Sequence, residues 1–412
     1  MMRCTIPAIF QGNIFKNEWN GQQMTVFYRD TWAEINLSAI KWNVKNVKEL
    51  LSDRVELYAV VKADAYGHGM VPVAKAAIEA GATRLAVAFL DEALALRKAK
   101  ITAPILVLGA SRPENAHIAA KYDIALTVFS PEWIKKATAY LNNKNILNLH
   151  IKCDTGMGRL GVKTTDELNQ VVEAIKSADS FFFEGIFTHF ATADELDTSY
   201  FQTQVQTFDH FLASLQDLPQ IIHSANSATT LRYRENTFNA VRFGIPMYGL
   251  SPSEEMKPLL PYPLQPAFTL HTKIVHVKKI HKGETIGYGG TYVAEKTEWI
   301  ATLPIGYADG WIRSLAGQEV LVNGIRAPIV GRICMDQCMI KLPEELPVGT
   351  DVTLIGKQGN EEISVDEIAA KLKTINYEIP CLISTRVPRV YKENERMIQT
   401  VNPLLINQDK DE

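Results

Sequence analysis

Cysteine is scarce in the 412-residue chain, neither charge sign dominates, and no long apolar run occurs. The five cysteines, Cys4, Cys153, Cys334, Cys338 and Cys381, form an odd and scattered set. That excludes a disulfide framework and suits a reducing compartment. Cys334 and Cys338 lie close together, but neither a second pair nor a nearby histidine completes a zinc site, so no metal is expected. Lys plus Arg number 43 against 46 Asp plus Glu, a net charge of −3, which removes the basic footprint that nucleic-acid binding needs. Nothing approaches the ~18 apolar residues that span a bilayer. The apolar patch at residues 6–10, behind Arg3, is too short for a secretory signal. A cytoplasmic protein is expected.

What is present has globular proportions, 46% hydrophobic and 22% charged residues, and the length suggests about two or three domains. Residues 1–23 lack patterning and read as an N-terminal extension, either poorly ordered or upstream of a true start at Met24. Residues 24–263 alternate apolar, β-rich runs with amphipathic stretches. The runs fall at 57–61, 85–89, 105–108, 124–128, 147–151, 181–187, 221–222 and 240–245, and helical patterns lie at 71–79, 91–98, 131–140, 165–175 and 200–215. Eight strand candidates with helical partners predict a parallel (β/α)₈ barrel, a TIM-like α/β fold, with an open doubly wound sheet as the alternative. Pro252, Pro258, Pro261, Pro263 and Pro266 then mark an extended linker. Residues 264–412 predict a mainly antiparallel β domain with strands at 269–279, 299–303 and 352–355. An Asn323-Gly324 hairpin turn and one helix at 365–372 complete it.

The chemistry gathers at the expected strand ends. Lys62 closes the first strand ahead of two glycines, Gly67 and Gly69, and the C-terminal end of a barrel strand faces the reaction site. Desolvation there disfavours the cation and frees an amine to form a Schiff base; a lysine snorkelling to solvent is the plainer alternative. His189 ends the sixth strand, Asn226-Ser227 the seventh, and Arg242 with Gly244-Ile245 the eighth. Barrels hold phosphate near strands seven and eight on backbone N–H groups and helix starts. Taken one at a time, His189 reads equally as a core histidine, Ser227 as a helix cap and Arg242 as a structural ion-pair partner. Together, a lysine beside a phosphate cradle points to pyridoxal 5'-phosphate. Gly156-Met157-Gly158-Arg159-Leu160-Gly161 satisfies a dinucleotide-binding pattern. It follows the fifth strand rather than opening a nucleotide unit, however, and Glu184 falls mid-strand, so the pattern argues little for NAD.

These residues, with Asp154-Thr155-Gly156, Gly287-Tyr288-Gly289, the 305–310 run, Cys334-Met335-Asp336 and Asn376-Tyr377-Glu378, resemble the bacterial alanine racemase family from about residue 28 to 401. The resemblance implies pyridoxal 5'-phosphate held on Lys62, with Lys62 as base on one substrate face and Tyr288 of the partner subunit as base on the other. It implies a phosphate cradle of Tyr66, Ser227, Gly244, Ile245 and Tyr377. His189 would pack near the pyridine ring, and Arg242, supported by His223, would face the ring nitrogen. Arg159 and the Met335 backbone would address the substrate carboxylate beside Asp336, and Lys152, often carbamylated in the family, would hold Arg159. Tyr307 would stand at the entrance. The implied protein is a homodimer that racemises alanine and supplies D-alanine for peptidoglycan. A racemase of broader specificity is one rival. A barrel amino-acid decarboxylase is another, although that chemistry calls for a carboxylate where Arg242 stands. A non-catalytic pyridoxal-phosphate carrier is the third.

Overall fold

Short β-branched runs bounded by turns become the eight strands of one parallel barrel. The strands are Glu56–Val60, Arg84–Val87, Ile105–Ala110, Ile124–Val128, Leu147–Lys152, Phe181–Phe187, Ile221–His223 and Ala240–Phe243. This is a computed structural model, and it describes residues 27–141 and 145–405 together with the backbone of Glu18–Trp19 and Gln22–Gln23. The expectation for residues 1–23 falls for the most part outside the described residues. Each strand pairs in parallel with its sequence neighbour as far as the seventh, and the eighth pairs with the first. Between the seventh and eighth strands the ladder is open. The Arg242 amide donates to the Ala225 carbonyl at 3.0 Å and the Ile222 amide to Asn239 Oδ1 at 2.7 Å, so the barrel is nearly closed.

Helices pack outside the barrel along buried stripes. Thr165–Lys176 begins with a reciprocal cap between Thr164 and Glu167 and buries Leu168, Val171, Val172 and Ile175. Among the described residues no helix is long and apolar enough to cross a membrane.

The second unit is an eleven-stranded, mainly antiparallel sheet. Its hairpin of Glu319–Val322 and Ile325–Val330 turns on Asn323 and Gly324, with φ of 50° and 73°, the left-handed pair that a two-residue turn requires. The helix at Val365–Leu372 forms as read. Two boundaries differ. The strand Thr31–Asn36 lies inside the segment assigned to the barrel, yet it pairs antiparallel with Phe268–Lys273 and parallel with Arg389–Glu393, so the β domain recruits chain from before the barrel. The run at 269–279 is two strands, Phe268–Lys273 and His276–Ile280, and the second pairs with Glu298–Leu303 elsewhere in the sheet. One apolar core runs from the barrel into this sheet. A smaller one, Ile280, Ile286, Ala294, Ile300 and Val330, lies beneath the turn that carries Tyr288.

Candidate active site

Lys62 follows the first barrel strand and opens a turn that the sequence does not announce. Ala63, Asp64, Ala65 and Tyr66 all adopt left-handed helical angles, with φ from 52° to 54°. Each such residue costs about 1–2 kcal/mol, and strain of this kind persists only where the surroundings over-determine it. They do so here. Glu92 Oε1 accepts from the Ala63 amide at 2.6 Å, and Asp64 Oδ1 from the Met70 amide at 2.7 Å. His68 Nδ1 lies 3.0 Å from both the Ala65 and Tyr66 carbonyls, and Arg389 donates to Gly67 O at 3.1 Å. A Cβ at Gly67, with φ of 81°, would stand 2.1 Å from the Pro380 carbonyl. The second domain thus clamps the lysine turn directly.

A cavity of about 430 Å³ sits at the C-terminal end of the barrel, within the range of small-molecule sites. Lys62, Lys152, Arg159, His189 and Arg242 are among its lining residues. Burial, reinforced by Arg159 and Arg242, lowers the Lys62 amine below its ordinary pKa. Lys152, 3% exposed, is depressed further by burial and then by Arg242 and Arg159. Arg159 reaches the cavity from the glycine-rich loop, where Asp154 Oδ1 accepts from the Gly156 and Gly158 amides at 3.1 and 2.9 Å. The pattern that mimics a dinucleotide site therefore shapes an arginine-bearing loop.

Tyr66, Ser227, Gly244 and Tyr377 line the same cavity. The Gly244 amide donates to Ser227 Oγ at 2.9 Å, which leaves the serine hydrogen free for the cavity. A Cβ at Gly244 would lie 2.8 Å from Tyr66 Oη and 3.5 Å from Ser227 Oγ. Two hydroxyls and a bare backbone therefore surround a small space, and a side chain there would fill it. The helix at Ser227–Arg232 is only six residues, so the hydroxyls rather than a helix dipole supply the donors. Ile245, expected in the same cradle, is buried and does not line the cavity.

Arg242 is 4% exposed, and burial lowers its guanidinium to about 9, still cationic at neutral pH. Nη1 donates to His223 Nδ1 at 2.8 Å and His223 O at 2.9 Å. Nη2 meets Thr188 O, Ser224 O and His189 Nδ1 at 2.8, 3.0 and 3.3 Å. Among the described residues no acceptor takes its Nε–H, which leaves one donor for whatever occupies the cavity.

Tyr288, Met335 and Asp336 are not with this group. They line a separate, open cavity of about 720 Å³ on the β domain, and no residue lines both. Tyr288 is 71% exposed on a turn flanked by Gly287 and Gly289, both at positive φ. Asp336 Oδ1 accepts from Arg386 at 2.7 Å, and the Tyr307 amide donates to Cys334 O at 3.0 Å, packing that loop on the Met335 segment. The sequence reading missed Glu92, His68, His150 and Glu184. The acidic first turn of the Leu90–Lys98 helix was the available signal for Glu92.

The profile for the alanine racemase N-terminal domain matches residues 35–252 and that for the C-terminal domain residues 267–391. The chain belongs to the alanine racemase family. It is 60% identical to the alanine racemase of Anoxybacillus flavithermus over 92% of this chain and 99% of that one. It is 55% identical to alanine racemase 1 of Bacillus subtilis over 92% and 97%. A crystal structure of alanine racemase from Bacillus anthracis with bound L-Ala-P superposes with a TM-score of 0.90 at 55% identity, covering 92% of this chain and 99% of that one. A histidine racemase from Leuconostoc mesenteroides is also similar, with a TM-score of 0.84 and 34% identity over 90% and 100%. Alanine racemases are pyridoxal-phosphate-dependent isomerases.

Proposed function

We propose that the protein interconverts L- and D-alanine with two acid–base groups on opposite faces of the substrate, the Lys62 amine and the phenol of Tyr288 of the partner subunit. The observation that carries this reading is the division of the machinery. A lysine and its cationic neighbours line one cavity, while Tyr288 and Met335 stand on a separate, more open face.

The cavity fits pyridoxal 5'-phosphate. Tyr66 and Ser227 face a space at Gly244 that a Cβ would fill, in a cavity that Tyr377 also lines, and this is where a phosphate would sit, with the Ile245 amide assigned to it by the family resemblance alone. A desolvated amine lines the same cavity, and Arg242 keeps one unused N–H beside His189. When bound, the cofactor draws electrons from the substrate's α-carbon and makes its hydrogen acidic.

Lys62 would be the residue that holds the cofactor, and its amine, once free, would take or return a proton at the α-carbon from its own face. Arg159 and the backbone of the partner subunit's Met335 would hold the substrate carboxylate, and Lys152 would brace Arg159 as a carbamate, whose oxygens accept where the amine repels. Arg242 would offer its unused Nε–H to the cofactor's ring nitrogen and would not surrender a proton there, because a guanidinium is a poor acid. A carboxylate, the group a barrel decarboxylase needs at this point, is not what this chain supplies. Asp336 steadies the Met335 loop, and Tyr307 narrows the entrance.

One base would return the proton to the face it left. A second, opposed base must come from a second copy, because Tyr288 does not reach its own cavity, so the working form is a homodimer with shared sites. The cytoplasm is the compartment this reading assigns, with D-alanine passing to peptidoglycan. The free thiols Cys153, Cys334, Cys338 and Cys381 support a reducing setting.

Borohydride reduction of the cofactor-loaded protein is expected to fix the cofactor mass on Lys62, and Lys62→Ala to abolish it. A chiral assay of the same preparation is expected to yield D-alanine from L-alanine. An adduct on another lysine, or carbon dioxide in place of D-alanine, overturns the assignment. Including L-histidine in the assay tests the breadth that the histidine racemase neighbour raises.

A further inference from the structure

We propose that His150 and Glu184, deep in the barrel and outside the substrate cavity, are positioning residues that fix the direction in which Arg242 donates. A continuous chain of hydrogen bonds leads from the cavity into the barrel. Arg242 Nη1 lies 2.8 Å from His223 Nδ1, and His223 Nε2 lies 3.0 Å from His150 Nδ1. His150 Nε2 then lies 3.1 Å from Glu184 Oε2, and Glu184 Oε1 3.1 Å from Arg84 Nη1. Arg84 also pairs with Glu56 at 3.3 Å.

Every hydrogen in this chain is determined by its two ends. A guanidinium only donates, so His223 Nδ1 must accept and its hydrogen must sit on Nε2. That hydrogen points at His150 Nδ1, which must accept in turn, so His150 carries its hydrogen on Nε2 and donates to the Glu184 carboxylate. Both imidazoles are neutral, and burial holds each below its ordinary pKa. The other charged or titratable groups acting on the pair are Lys152 and Arg84, with Tyr58 stacked on His223.

Without the carboxylate, His150 is free to move its hydrogen to Nδ1. His223 would then have to accept on Nε2 and would present an N–H to the Arg242 guanidinium, donor against donor. Glu184, on the far side of the two imidazoles from Arg242, therefore sets their polarity.

The packing is built for it. His223 lies between Phe187, centroids 4.6 Å apart at 6°, and Tyr58, 5.3 Å apart at 20°, so it cannot rotate to another partner. Glycine inside a strand weakens it and marks a close approach. At Gly185 a Cβ would stand 2.4 Å from two His150 ring atoms, so the sixth strand forgoes a side chain to house the imidazole. Barrel interiors are ordinarily filled by layers of branched apolar residues, and apolar replacement of a buried charge network is often neutral or stabilising. A purely structural role does not account for this one.

The proposal rests on the placement of Arg242 at the cofactor's ring nitrogen, and the Lys62 borohydride adduct checks that the cofactor occupies the cavity independently. The test is ¹⁵N-histidine NMR of the cofactor-loaded protein with Glu184→Gln and Glu184→Met. Wild type is expected to show His150 and His223 as Nε2–H tautomers. Glu184→Gln, whose amide oxygen still accepts, retains them and most of the turnover. Glu184→Met mixes the His223 tautomers and lowers kcat about tenfold, with KM for alanine changed by less than about twofold. Retained kcat in Glu184→Met with only a lower melting temperature overturns the proposal. An Nδ1–H tautomer at His223 in wild type does so by itself, so the wild-type spectrum decides even if the methionine variant does not fold. A normal Lys62 adduct beside either result locates the failure in this chain and not in the racemase reading.

Discussion

In the proposed mechanism Lys62 and Tyr288 approach one carbon from opposite sides, and L- and D-alanine have equal free energies. Removing either base must therefore slow net racemisation equally in both directions, and the asymmetry between them has to be sought in proton exchange. Tyr288→Phe is expected to lower racemisation by about 10²–10⁴-fold. In deuterated solvent, D-alanine should still exchange its α-hydrogen through Lys62, while L-alanine should not. Equal residual exchange of both enantiomers, followed by mass spectrometry, removes Tyr288 from the mechanism. A second residue-scale expectation concerns acid. Burial lowers His68 to about 4 from its ordinary 6.5, so the unfolded chain takes up this proton first. Stability contributed by the neutral imidazole is intact above pH 6.5 and is lost as pH falls from there toward 4. The midpoint of urea unfolding should therefore decline over that window, and His68→Asn should flatten the decline; an unchanged slope refutes it. The sequence exposed Lys62, His189 and Arg242 because strand ends are where a barrel does chemistry. His150 and Glu184 stayed hidden because a polar residue within a strand reads as an irregularity until its partners on other strands are known.

At the scale of elements, the lysine turn and the phosphate cradle depend on each other. The left-handed run 63–66 delivers Tyr66 Oη to the space in front of Gly244, where Ser227 Oγ also points. Gly244→Ala puts a methyl group into that space, and overpacking of this kind costs about 1–3 kcal/mol. Pyridoxal 5'-phosphate affinity, read by quenching of protein fluorescence, should fall about 10–100-fold; unchanged affinity would show that the phosphate binds elsewhere. All eight barrel strands were legible, because apolar β-branched runs alternate with amphipathic stretches and each signal is local. The left-handed turn was not, since Ala63, Asp64 and Ala65 carry no such preference and the turn is imposed by Glu92, His68 and Arg389 from other segments. Thr31–Asn36 was misassigned for a related reason. Its alternating burial suits either sheet, and only its pairing with Phe268–Lys273 and Arg389–Glu393 decides.

The whole molecule is where the two halves of the chemistry have to meet. Lys62 lies in a cavity clamped by the chain's own second domain, whereas Tyr288 and Met335 lie on a face that no part of the described chain covers. A two-fold dimer is the simplest closed arrangement that sets each Tyr288 face over the other copy's cavity, because the contact is then made twice. Such sharing makes a demand that a site within one chain cannot meet. Lys62→Ala and Tyr288→Phe are each inactive as pure dimers. In a mixed dimer one site combines both lesions, and the other combines an intact Lys62 with an intact Tyr288. Co-refolding the two inactive variants in equal amounts should therefore restore about a quarter of wild-type activity, since half the dimers are mixed and each has one working site of two. The same mixture without subunit exchange should stay inactive. If co-refolded, exchanged dimers remain as inactive as their parents, Lys62 and Tyr288 act within one chain and the shared site is wrong.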